Sequence, residues 1–220
     1  MTSQTQPLSV APPAKWKRTL LPLAIGGAGG FLGTMFFKEM GFIGRLGAFG
    51  PSEEIAALVG LIYAVTGGAL GVGAVLPKAG AAFLNVEDAE ELAEQRSMLA
   101  YSALGLLTLG LALIVAAMAA PVGTIPRAAV VAVFAIAGVL ITVLGVLSHR
   151  SQDEFMRSMG RESNALAFYL LAAAGGIWTL SGHLGYSAPP APLDWLTMIW
   201  SFALIAAFIV AGKKGMMKMR

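Results

Sequence analysis

The sequence predicts an all-α membrane bundle, polytopic, with six transmembrane helices and both termini in the cytoplasm. Three observations predict it: a shortage of charge, apolar residues gathered in blocks, and a lopsided distribution of Lys and Arg. Of 220 residues, 57% are hydrophobic and 12% charged, whereas soluble domains carry roughly 25% charged residues. A soluble core of this length could not hide so much apolar surface. The 27 glycines show no collagen-like repeat and suit closely packed membrane helices.

Six stretches lack Asp, Glu, Lys and Arg: Thr19–Phe37, Ile55–Leu76, Met98–Ala120, Ala128–Ser148, Ala165–Gly185 and Trp195–Gly212. Each holds 18 to 23 residues, and at 1.5 Å per residue such lengths match a hydrocarbon core of roughly 30 Å. A β-barrel would need alternating segments of about ten residues, and none are present. The predicted organisation is a disordered cytoplasmic tail over 1–18, a six-helix transmembrane domain over 19–212, and a basic cytoplasmic tail over 213–220. The first stretch follows the basic run Lys15-Trp16-Lys17-Arg18 as a signal peptide would. Its 19 residues and the lack of a small-residue cleavage site after it predict a retained helix instead.

Orientation follows from the positive-inside rule. With the amino terminus inside, twelve of the Lys and Arg residues fall on the cytoplasmic side and three, Lys38, Arg45 and Arg127, on the outer side. Removing or adding one span would destroy that bias. Trp16, Tyr186 and Trp195 then stand at the interfaces, where aromatic rings anchor helices. Short connections at Pro121–Pro126 and Ser187–Pro192 make spans three and four, and spans five and six, antiparallel neighbours. The longer outer loop Lys38–Glu54 has glycine at every third position from Gly41 to Gly50 and is expected to be irregular.

Two cytoplasmic segments share a design. Asn85-Val86-Glu87-Asp88 places acid behind a capping residue, and Ser151-Gln152-Asp153-Glu154 is a full S-x-x-E capping box. Each is expected to run unbroken into the span after it. The third and fifth helices then extend into the cytoplasm, at about 33 residues or roughly 50 Å. Either a duplication of a two-helix unit or convergent helix-start chemistry accounts for the likeness. The first extension carries Glu87, Asp88, Glu90, Glu91 and Glu94, the second Asp153, Glu154, Arg157 and Arg161. These nine residues are the candidate cytoplasmic interaction surface. The acids of the first extension could pair with Arg157 and Arg161 or with the basic tail, or all could be solvated helix faces. The tail, with Lys213, Lys214, Lys218 and Arg220, also suits anionic lipid, at roughly 1 kcal/mol per cation.

Composition excludes several chemistries. With no cysteine, disulfides, thiolate nucleophiles and cysteine-held metals are ruled out. His149 and His183 fall at opposite membrane faces, roughly 50 Å apart by helix rise, so they cannot share a haem or metal. No spans carry an ionisable carboxylate or amine, the usual mark of an ion path or proton relay. The Gly26–Gly30 run lacks the Lys-Ser/Thr of a phosphate loop and lies within a span. It reads instead as helix packing: Gly26/Gly30, Gly29/Gly33 and Gly67/Gly71 are G-x-x-x-G pairs, and they predict the tightest contact at spans one and two, with each other or across a dimer. The midplane polar candidates are Tyr63, Thr66, Thr108 and Thr142.

The run Asp153-Glu154-Phe155-Met156-Arg157 ahead of an apolar span resembles small uncharacterised bacterial inner-membrane proteins with cytoplasmic helix extensions of this kind. The resemblance implies a multi-pass protein of the cell inner membrane and no particular activity. The expected function is a non-enzymatic structural or accessory subunit that works with itself or another membrane protein in the bilayer. No cofactor, metal or nucleic acid is expected. The alternative is a small transporter or channel for a neutral solute, its path lined by the four midplane groups.

Overall fold

The computed structural model describes residues 49–76 and 96–215. They form five helices: α1 Pro51–Val75, α2 Arg96–Ala117, α3 Arg127–Ser151, α4 Glu154–His183 and α5 Pro192–Lys213. All five are long and apolar enough to cross a membrane, and they correspond to spans two to six. Span one, with Gly26, Gly29, Gly30 and Gly33, lies outside the described residues, as does the first acidic segment, Glu87 to Glu94.

Helices α1 and α5 begin by the same device. Pro51 and Pro192 occupy the first helical turn, where a missing N–H costs nothing and the fixed φ favours the helix. Two residues on, an acid reaches back: Glu53 Oε2 accepts the Gly50 N–H at 3.0 Å, and Asp194 Oδ2 accepts the Ala191 N–H at 2.7 Å. Both carboxylates also sit at the positive end of the helix dipole. The expected irregular loop to Glu54 therefore ends earlier, because Pro51 and Glu53 form a start signal that the glycine count obscures.

The turn between α3 and α4 corrects the expected capping box. Ser151 is the last residue of α3, and its Oγ donates to the carbonyls of Ser148 and Leu147, at 3.0 and 3.2 Å. The cap is Asp153, whose Oδ1 accepts the Met156 N–H at 2.8 Å. Gln152 and Asp153 both have extended backbone, so the chain leaves one helix and enters the next within two residues. Glu154 is then the first residue of α4 and not the closing acid of a box. From there α4 runs without a break for 30 residues, or about 45 Å. The sequence reading caps this helix at Ser151, two residues earlier than the structure does.

Packing is uneven. Helix α1 lies along α2 over the greatest length; α2 and α3 form one hairpin, α4 and α5 another, and α1 packs against α5. Among the described residues, α5 is the one helix packed closely on α4. Fully buried Ala56, Leu113 and Ala117 cluster with Ala57, Val59, Leu193, Leu196 and Trp200. That cluster brings the start of α1, the end of α2 and the start of α5 to one end of the bundle. At the other end Lys214, just past α5, pairs with Glu162 of α4. The eight residues from Glu154 to Arg161 therefore continue past the end of α5, by about 12 Å.

Candidate functional site

The α1–α2 seam depends on glycine. A Cβ on Gly60 would lie 2.7 Å from the Gly110 carbonyl oxygen, one on Gly110 2.5 Å from that of Gly60, and one on Gly67 2.8 Å from that of Ala103. The seam therefore uses pairs seven apart, Gly60/Gly67 on α1 and Ala103/Gly110 on α2, so that small residues recur on one face every two turns. Gly71 is in ordinary contact: its Cβ would lie 3.7 Å from that of Ala103. Of the expected pair Gly67/Gly71, then, Gly67 is at the close approach, and the described partner of span two is span three. The same spacing recurs on α4. A Cβ on Gly175 would meet the Trp195 indole at 2.7 Å, and one on Gly182 would meet Pro189 Cα at 2.7 Å.

The midplane candidates are satisfied separately. Thr66 Oγ1 donates to the Ile62 carbonyl at 2.7 Å, Thr108 to Leu104 at 2.7 Å and Thr142 to Gly138 at 2.8 Å. Each returns to the preceding turn of its own helix, the usual resource of a hydroxyl in an apolar environment. Tyr63 differs. Buried on α1, it donates across to the main-chain oxygen of Trp200 on α5 at 2.7 Å. Trp200 also stacks on Phe134 of α3, with ring centroids 6.4 Å apart and planes 9° from parallel. Trp200 thus joins three helices, through its main-chain oxygen to α1 and its indole to α3.

The charged candidates gather where α3, α4 and α5 meet. Asp153 is occupied by the Met156 N–H. Arg157 does not pair with it four residues away on the helix; its Nη2 donates to the His149 carbonyl at 3.2 Å, capping the end of α3. Arg161 Nη2 binds Glu154 Oε1 at 2.8 Å. That hydrogen bond, with the positive charge of Arg161 behind it, holds the Glu154 carboxyl below the usual carboxylate range. Lys214 and Glu162 meet at 3.1 Å, so the first part of the basic tail pairs with α4; the acids of the first segment lie outside the described residues. Sequence reasoning missed this pair, since nothing local sets the register of α4 against α5. The seven-residue glycine spacing, by contrast, was a readable signal.

His149 and His183 are both exposed and belong to different helices. Among the described residues, no group of three or more His, Asp or Glu side chains could hold a metal ion. No protein-family model, curated protein or solved structure matches the chain.

Proposed function

We propose that this chain is a six-span protein of a bacterial inner membrane, with both termini cytoplasmic, that serves as a non-enzymatic structural or accessory subunit. The state of α4 carries the reading. Helix α4 is held closely by α5 alone among the described residues. Phe168, Tyr169 and Ile177 along it are 65%, 69% and 70% exposed. A helix this long and this thinly packed offers exposed apolar and aromatic side chains to another transmembrane helix and its charged first turns to a cytoplasmic partner. In this reading the Glu154–Arg161 turns project past the inner membrane face.

The alternative of a neutral-solute path draws less support. Its lining would be Tyr63, Thr66, Thr108 and Thr142, and three of these hydroxyls donate within their own helices. Photo-crosslinking from a reactive residue at position 168 or 177, in native membranes, tests the subunit reading. The expected product is a discrete adduct with a second copy or another membrane protein. A chain that crosslinks only to lipid at both positions would sink it.

A further inference from the structure

We propose that the outward face of α3 seats one phospholipid with an anionic headgroup, its phosphate on Arg150 and an acyl chain in the groove above. This rests on α3 crossing the membrane, as proposed above. A shallow, open apolar depression of about 520 Å³ lies along this helix, and the described residues that line it are Ala135, Ile136, Val139, Leu140 and Val143. All five side chains are apolar, and Ile136 and Val139 are 68% and 69% exposed. The groove covers eight residues of helix rise, or about 12 Å.

Helical geometry decides what lies below it. Seven residues make almost two full turns, so Ile136, Val143 and Arg150 fall on one stripe. The apolar groove therefore ends at a guanidinium, about 10 Å below Val143. Arg150 is exposed and makes no ion pair among the described residues. Beside it, Arg157 is anchored through Nη2 to the carbonyl of His149, which fixes a second guanidinium one residue away. Of the nearby described carboxylates, Asp153 accepts the Met156 N–H and Glu154 pairs with Arg161. An apolar face leading to Arg150, which is exposed and unpaired among the described residues, matches a lipid with a negative headgroup, and the apolar face alone would accept a zwitterionic one equally.

The full-length protein, delipidated and then exposed to equal amounts of phosphatidylglycerol and phosphatidylethanolamine, can be read by native mass spectrometry. One phosphatidylglycerol should be retained in preference. Arg150→Gln should cut that preference about fivefold, the equivalent of about 1 kcal/mol for one cation at the headgroup level, and Arg150→Lys should restore it. Val139→Trp fills the groove from the outside without touching the core, and should lower retention of both lipids. Unchanged retention in Arg150→Gln and Val139→Trp would overturn the seat. So would displacement of the lipid by free inorganic phosphate, or a dimer that Val139→Trp dissociates. An alkaline membrane wash separates the two ideas: a chain that stays in the membrane yet shows no headgroup preference sinks the lipid seat alone, and a chain that washes off sinks both.

Discussion

Tyr63 on α1 donates its hydroxyl hydrogen to the main-chain oxygen of Trp200 on α5 at 2.7 Å, and the two rings stand 6.3 Å apart. This bond crosses between helices 137 residues apart in sequence. A phenol in an apolar interior needs an acceptor, and a helix carbonyl has a second lone pair to offer.

Tyr63→Phe removes the bond and keeps the ring. The expected loss of stability is about 0.5–1.5 kcal/mol, the range for interhelical hydrogen bonds in membranes. Tyr63→Ala also removes packing against Trp200 and should cost more, on the order of 3 kcal/mol. Denaturant titration in detergent micelles measures both. A phenylalanine variant as damaged as the alanine variant would contradict this division.

Gly110→Ala should loosen the α1–α2 seam. Its Cβ would lie 2.5 Å from one backbone oxygen and 2.7 Å from one backbone nitrogen of α1, atoms that cannot rotate away. The helices must part, at a cost of about 1–3 kcal/mol. Gly68→Ala is the matched control, since nothing lies within 4 Å of the added carbon. It should be neutral or slightly stabilising. Thermal unfolding of the two variants should separate clearly.

Asp153→Ala should destabilise the start of α4 by about 1 kcal/mol through loss of the N-cap, whereas Ser151→Ala should be near neutral. Amide hydrogen exchange at Met156 reads the difference directly. Equal protection loss in the two variants would restore Ser151 as the cap.

Glu154 should titrate below the usual carboxylate range, and Arg161→Gln should raise it. The hydrogen bond from Arg161 favours the charged carboxylate. Because the folded value is depressed, the contribution is present above the unfolded value and is lost as pH falls through the folded one. Both groups are largely exposed, so the effect on global stability should be slight. NMR titration of the Glu154 side chain, in wild type and variant, checks the direction.

Five helices of membrane-spanning length were legible from sequence because span length and charge exclusion are local properties. The Ala165–Gly185 span and its acidic lead-in already imply one long helix, as α4 is. Helix starts were less legible. At Ser151 the S-x-x-E pattern matched, yet Asp153 two residues on was also a competent cap, and the extended backbone at Gln152 and Asp153 settled the choice. At Pro51 and Pro192 a start signal was present and hidden among turn-forming residues.

Contacts between helices set the limit. The sequence alone determined that the chain is built from long apolar helices and that its charges gather at their ends. Only the tertiary structure decided that Gly60 and Gly67 meet Gly110 and Ala103, that Trp200 joins α1, α3 and α5, and that Glu162 reaches Lys214. The reason is physical. An apolar span with small residues on several faces can pack equally well in several directions, so its partner follows from the whole set of helices and connections and not from any one span.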